Sequence, residues 1–100
     1  MRRAAKTDRN QAEIVSAMRS IGATVQPLHA VGQGVPDLLV GFRGQTLLME
    51  VKDGKKPPSA RELTPDQQDW ISAWRGGCVW VIRDVSQAVD VAQQAAKVQA

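Results

Sequence analysis

The sequence predicts a single α/β domain, spanning residues 1–100, in which helices flank a mixed β-sheet. Three observations predict this fold class. Apolar residues recur at helical spacing early in the chain, two apolar runs follow with a very short link between them, and a third apolar run lies between two amphipathic segments near the end. The predicted order is helix, three strands, helix, strand, helix. One hundred residues with 43% apolar content suit one modest core.

The first predicted helix begins at about Asn10 and ends at Gly22, where a glycine suits the C-terminal cap. Its apolar stripe comprises Ile14, Val15, Met18 and Ile21. Residues 24–30 alternate weakly and contain Pro27, which favours an edge strand. A loop rich in glycine then leads directly into Asp37.

The next two strands, 37–42 and 46–52, are predicted to form a β-hairpin around Arg43-Gly44. With a two-residue turn, Asp37 lies directly opposite Glu50, and directly opposed residues have Cβ atoms about 4.5–5.5 Å apart. A three-residue turn would offset the two acids but leave them at the same end of the hairpin. Both faces of the hairpin carry apolar residues, so we expect helices to cover both.

The second helix has a strong start signal. Thr64 is placed as its N-cap, Pro65 at its first position, and Gln67 three residues on, as in a capping box. The segment before it, 53–63, lacks periodicity and is predicted to be a mobile loop. The apolar face of the second helix comprises Trp70, Ile71 and Trp74. The two tryptophans are predicted to be core residues rather than base-stacking platforms.

The last two elements are a strand and a helix. Residues 79–82 form a short continuous apolar run and are predicted to be a central strand. Trp80 and Cys78 are expected to be buried. From Ser86 onward the pattern predicts a final amphipathic helix.

The charges at the end of the second hairpin strand require partners. Glu50 and Lys52 project from one face of the strand, and burying them unpaired is costly. Such a pair indicates an ion pair, a metal ligand or catalysis. An ion held by Asp37 and Glu50, with the Val51 carbonyl and waters, fits the oxygen-rich shell of Mg²⁺. The alternative is structural, a surface aspartate at a strand start and a Glu–Lys pair on a sheet edge.

Basic residues form two clusters within a net charge of +3. One lies in the N-terminal nine residues, which we expect to be flexible. The other surrounds the loop after the hairpin. Two basic clusters suit a polyanion such as nucleic acid, although solvated surface charge is the alternative. The predicted nucleic-acid contacts are Lys6, Arg9, Lys55, Lys56 and Arg61.

Other classes of protein are disfavoured by the sequence. The apolar runs are too short for the roughly 20 residues that span a bilayer, and the start of the chain lacks the apolar region of a signal peptide. We therefore expect a cytoplasmic protein with no membrane partner. Cys78 is the single cysteine, so no intrachain disulfide or cysteine-built zinc site is expected.

Three segments taken in order resemble a nuclease signature. Gly34-Val35-Pro36-Asp37 followed by Glu50-Val51-Lys52 resembles the PD-(D/E)XK pattern. With Leu63-Thr64-Pro65-Asp66-Gln67 added, the order is similar to the VRR-NUC branch, in which G-x-P-D, E-V-K and L-[ST]-x-x-Q segments succeed one another. The resemblance implies a restriction-endonuclease-like layered fold with the element order αβββαβα.

The resemblance also implies roles for individual residues. Asp37 and Glu50 would be ligands of Mg²⁺ or Mn²⁺, and Lys52 the catalytic lysine. Gln67 would be the active-site glutamine, although it has a competing role in the capping box. Glu13 would be the acid that many members supply from the first helix, with an exposed helix-face glutamate as the alternative.

The function implied is a metal-dependent DNA endonuclease that hydrolyses phosphodiester bonds in branched or Holliday-junction-like DNA. The chain resembles the standalone phage and bacterial members, which are similar to Holliday-junction resolvases and act as homodimers; the expected location is the cytoplasm of a bacterium or phage-infected host. Two alternatives stay open. One is a nucleic-acid-binding module that keeps the fold without chemistry, and the other is a structural or protein-interaction domain.

Overall fold

Residues 8–98 are described by the structure, a computed structural model, and they follow the predicted order of elements. The helices and strands are α1 (Gln11–Ser20), β1 (Thr24–Pro27), β2 (Leu38–Phe42), β3 (Gln45–Val51), α2 (Pro65–Ala73), β4 (Val79–Ile82) and α3 (Val85–Val98). A short 3₁₀ helix, Pro58–Arg61, lies inside the segment 53–63, which was predicted to be a mobile loop. Within the described range, no helix is long and apolar enough to cross a membrane.

The sheet is mixed, as predicted, with the strand order β1-β2-β3-β4. β1, β2 and β3 are antiparallel neighbours, whereas β3 and β4 run parallel and are connected through α2. β1 is an edge strand, as the proline in it predicted. β4 is the other edge, so the prediction of a central strand is wrong. A short apolar run is equally compatible with either position, because periodicity does not report how many neighbours a strand has.

The hairpin turn confirms the predicted register. Phe42 pairs with Gln45, and the ladder continues to Leu38 opposite Met49. Arg43 and Gly44 both have positive φ, 48° and 82°. Positive φ at both central residues is the pattern of the type I′ turn that suits two-residue hairpins.

The core lies on one face of the sheet, where α1 and α3 pack against the strands and against each other. Alternation along β2 buries every second side chain, and in β3 it buries Leu47, Met49 and Val51, although Glu50 is buried as well on the other face. The strand residues of this core are Val25, Leu38, Val40, Phe42, Leu47, Met49, Val51 and Ile82. α1 ends in a Schellman motif, because Gly22 has φ 97° and the amide of Ala23 donates to the Met18 carbonyl.

The opposite face is not covered in the same way, so the expectation of helices burying both faces is wrong. α2 contains no buried residue. Trp74 is 42% exposed and stacks on Trp70 with ring centroids 4.9 Å apart, and Trp80 is 36% exposed. The predictions that these tryptophans are core and that Cys78 is buried are also wrong. An apolar stripe on a helix predicts a face in need of cover but does not say whether this chain supplies it.

Candidate active site

The hairpin brings Asp37 and Glu50 together at one end of the sheet. Asp37 immediately precedes β2, one step beyond the pair of Leu38 with Met49, and therefore faces Glu50. The Oδ2 atom of Asp37 accepts a hydrogen bond from the Val51 amide at 2.7 Å. The amide of Leu28 donates to the Asp37 carbonyl at 2.7 Å, which fixes the backbone at this point. The register thus gives the carboxylate pair that the sequence predicted.

Glu50 is a buried acid, with only 2% of its surface exposed. Burial raises the pKa of its carboxyl to about 9, and a hydrogen bond with Asp37 and the negative charge of Asp37 act in the same direction. The positive charge of Lys52 opposes this pKa shift, and Asp8 adds to it. Without a bound cation, the raised pKa favours the protonated form of Glu50 at neutral pH.

Gln67 links the carboxylate pair to the lysine. Its Oε1 accepts a hydrogen bond from Lys52 Nζ at 2.8 Å, and its Nε2 donates to Glu50 Oε2 at 3.0 Å. The same Oε1 accepts from the Thr64 amide at 2.9 Å, while the Gln67 amide donates to the Thr64 hydroxyl at 3.3 Å, completing the capping box. Gln67 therefore completes the capping box while it also contacts Lys52 and Glu50, and the start of α2 sets where the Lys52 ammonium lies; its role as an active-site glutamine stays a prediction.

The residues present fit a divalent cation. The Oε1 atom of Glu50 is buried without a hydrogen-bond partner. An unsatisfied carboxylate oxygen beside a second carboxylate is a hard oxygen donor set of the kind that Mg²⁺ and Mn²⁺ prefer. Among residues 8–98, no group of three or more His, Cys, Asp or Glu side chains could hold a metal. Asp37 and Glu50 as ligands of an ion, and the role of the Val51 carbonyl, therefore stay predictions.

Glu13 lies in a neighbouring cleft of about 390 Å³ rather than in the hydrogen-bonded group around Glu50. The cleft opens at the start of α1 and beside the segment that follows β3. The Glu13 side chain is exposed, and the assignment of Glu13 to the active site stays a prediction. The cleft is lined by charged and polar residues, namely Arg9, Asn10, Glu13, Asp53, Gly54, Lys55, Arg83 and Asp84.

The predicted nucleic-acid contacts lie in different surroundings. Arg9 and Lys55 are exposed and line the cleft. Lys56 forms an ion pair with Asp8 at 3.6 Å. Arg61, at the end of the 3₁₀ helix, is half-buried, and its Nε atom has no hydrogen-bond partner. Lys6 lies outside the described residues.

Three polar residues beside the site were missed by the sequence analysis. The Asn10 side chain donates to the carbonyls of Lys52 at 3.1 Å and Arg83 at 2.9 Å, joining the start of α1 to the ends of β3 and β4. Asp53 is buried and accepts from the Lys55 amide at 2.9 Å. Asp8 contributes negative charge near Glu50. In the sequence Asn10 marked only the approximate start of the first helix, and nothing local signals partners 42 and 73 residues away.

These features define a class of protein. A four-stranded mixed sheet with helices packed on it, a carboxylate pair on adjacent strands and a lysine two residues after the second acid are the features of a restriction-endonuclease-like domain. A comparison with solved structures agrees. A structure described as a VRR_NUC domain has 29% sequence identity and a TM-score of 0.63, and the match covers 90% of this chain and 97% of that one.

This match supports a VRR-NUC domain and points to a nuclease family. No protein-family model matches the chain. No curated protein matches it either.

Proposed function

We propose that the chain is a metal-dependent deoxyribonuclease that hydrolyses phosphodiester bonds as an endonuclease. One observation supports this most strongly: the buried Glu50 carboxylate keeps an unpartnered oxygen beside Asp37, at the position where the nuclease signature requires its ligands. A buried carboxylate oxygen without a partner costs free energy of folding, and a bound cation would supply that partner.

Mg²⁺ or Mn²⁺ is the proposed cofactor, and when bound it would polarise the scissile phosphate as a Lewis acid. Asp37 and Glu50 would hold the ion, with the Val51 carbonyl as a further oxygen ligand. Lys52 would stabilise the negative charge that develops on the phosphate during attack by water. Gln67 would keep the Lys52 ammonium directed into the site through its 2.8 Å hydrogen bond.

DNA is the proposed substrate. The exposed cations of the cleft, Arg9 and Lys55, lie beside the segment that leaves the active-site strand and would contact phosphates, together with Lys6, Lys56 and Arg61. Lys56 would exchange its ion pair with Asp8 for a phosphate, because exposed pairs contribute little. The finer proposals are that branched DNA is preferred and that a homodimer presents two active sites to two strands. The proposed location is the cytoplasm.

The test is cleavage of a four-way junction and, separately, of its linear arms, in Mg²⁺, in Mn²⁺ and in a chelator. We expect metal-dependent strand cleavage that favours the junction. Asp37→Ala should abolish cleavage without unfolding the protein. Asp90→Ala, which removes an exposed carboxylate on α3, is the matched control and should cleave like the wild type.

Three results would separate the alternatives. Equal cleavage by Asp37→Ala and wild type would contradict the proposed site. Binding to DNA that weakens with salt but shows no metal effect and no cleavage would identify a non-catalytic binding module. Preference for linear arms over the junction would leave the nuclease activity in place but remove the proposed preference for branched DNA.

A further inference from the structure

The glycine loop before Asp37 contacts the first turn of α2 at Gly34. A Cβ atom built on Gly34 would lie 2.9 Å from the Gln67 amide nitrogen and closer still to the carbonyl group of Asp66. Real Cβ atoms do not approach backbone atoms so closely, and backbone cannot move aside as the end of a flexible side chain can. Gly34 also has φ 83°, a conformation that L side chains rarely adopt. Gly34 therefore permits a direct contact between the loop backbone and the helix start.

This contact matters because α2 has little else to fix its position. α2 contains no buried residue, so core packing does not determine where its first turn lies. Gln67, at the third position of that turn, holds both Lys52 Nζ and Glu50 Oε2. A displacement of the helix start would therefore move the group that orients the lysine and bonds the acid.

We propose that Gly34 is a positioning residue of the active site, acting through the start of α2 to set Gln67 against Lys52 and Glu50. The inference rests on the proposed function for its catalytic consequence, but the structural coupling from Gly34 to Gln67 does not depend on it. Glycine is then required at position 34 for two reasons: the close approach of the loop backbone to the backbone of Asp66 and Gln67, and the positive φ of Gly34.

Gly32 provides a matched control. It lies in the same loop and also has positive φ, 74°, but a Cβ atom there would meet nothing within 4 Å. Gly32→Ala therefore reports the backbone cost of alanine at positive φ, and Gly34→Ala reports that cost together with the clash against α2. The difference between the two variants isolates the contact.

The first readout is the NMR signal of the Gln67 side-chain amide, which is independent of catalysis. We expect Gly32→Ala to retain the wild-type signals, and Gly34→Ala to shift them toward those of a solvent-exposed glutamine. The near-ultraviolet circular dichroism of the stacked Trp70 and Trp74 checks that α2 still forms. Unchanged Gln67 signals in a folded Gly34→Ala variant would overturn the proposal.

The second readout is steady-state cleavage. We expect Gly34→Ala to lower kcat by roughly 10–100-fold, the size of effect that a misplacement of about 1 Å can produce, with little change in KM. Gly32→Ala should retain most of the wild-type kcat. Because Gly34 acts through Gln67, the double variant Gly34→Ala/Gln67→Ala should cleave no more slowly than Gln67→Ala alone. Additive losses would overturn the proposal.

A measurement on the wild type covers the case in which Gly34→Ala does not fold. The wild type should show a nuclear Overhauser effect between the Gly34 α protons and the Gln67 amide proton, because the two backbones meet at this point. Its absence in the folded wild type would contradict the contact on which the coupling depends. If the wild type cleaves no DNA while the Gln67 signals still respond only to Gly34→Ala, the proposed function fails and the positioning role is retained.

Discussion

The two faces of the sheet differ in how they are used. On one face α1 and α3 bury a continuous set of apolar side chains, and Leu38 and Met49 have no exposed surface. On the other face the neighbouring positions carry Glu50 and Lys52, and Leu39 remains 37% exposed. Because side chains alternate along a strand, both environments are built from the same two strands.

This difference separates stability from chemistry at the level of single positions. Residues on the face covered by α1 and α3, the closed face, contribute by packing. Their loss should reduce the free energy of unfolding and should affect the site only through unfolding. On the opposite, open face the site residues Glu50 and Lys52 are polar groups oriented by hydrogen bonds, so their loss should alter the site in a protein that remains folded. Three pairs of substitutions test this separation in order of decreasing effect, and one substitution at Glu50 tests it through pH.

The largest effect is expected for Leu38→Ala, on the closed face. It should lower the free energy of unfolding by about 2–5 kcal/mol, the range for truncating a buried leucine. Leu39→Ala is the matched control, one residue along β2 and on the open face, and should lower it by less than about 1 kcal/mol. Chemical denaturation measures both values. Equal losses would show that the open face is covered in solution.

The next effect is expected for Lys52→Ala. Removal of the ammonium should reduce kcat by roughly 10²–10³-fold, as for the loss of one group that stabilises transition-state charge. Metal binding should persist, because the carboxylates are untouched. Lys97→Ala removes an exposed lysine near the end of α3 and should leave kcat unchanged. A variant at Lys52 that cleaves at the wild-type rate would remove the lysine from the mechanism.

A smaller effect is expected for Gln67→Ala, which removes the hydrogen bonds to Lys52 and Glu50. We expect a loss of about tenfold to a hundredfold in kcat and about 1 kcal/mol in the free energy of unfolding. Gln68→Ala is the control, because Gln68 bonds only the Leu63 carbonyl among its described side-chain contacts. Comparable losses of kcat from both substitutions would indicate a general weakening of α2 instead of a specific role for Gln67.

A further effect, which depends on pH, is expected for Glu50→Gln in the absence of metal. The pKa of Glu50 is raised from 4.5 to about 9, so above pH 4.5 the unfolded chain releases a proton that the folded chain retains. Stability from this group is therefore complete below pH 4.5 and is lost as the pH rises toward 9. Glutamine has no proton to lose, so Glu50→Gln should become the more stable protein.

Thermal unfolding in chelator at pH 5 and pH 8 measures this effect. The Tm of the wild type should fall relative to that of Glu50→Gln between the two pH values. A difference of 1 kcal/mol in the free energy of unfolding changes the Tm of a domain of this size by about 4–8 °C. Parallel curves for the two proteins would show that the environment of Glu50 does not hold its proton.

The local features of the fold were predictable from the sequence because their causes are local. Arg43-Gly44 fixed the hairpin register, since glycine tolerates the positive φ that a two-residue turn requires. Thr64 and Gln67 predicted the start of α2 through the capping box. From the register and the motif spacing, the meeting of Asp37 and Glu50 followed.

The features that the sequence did not predict depend on distant parts of the chain. The edge position of β4 is decided by which strands pair, and its apolar run does not record this. The exposure of Trp74 depends on what lies over α2. Asn10 contacts the carbonyls of Lys52 and Arg83, and Gly34 contacts the start of α2, through the fold alone. The raised pKa of Glu50 could not be predicted either, because its largest cause is burial, which depends on the fold.

The central claim is that Asp37 and Glu50 hold one functional divalent cation, and calorimetry with Mn²⁺ and Mg²⁺ tests it most directly. The wild type and Asp90→Ala should bind the metal with the same affinity, and Asp37→Ala should bind at least about tenfold more weakly, equivalent to 1.4 kcal/mol. Equal affinity in Asp37→Ala and Asp90→Ala, or no saturable binding by the wild type at millimolar metal, would contradict the claim.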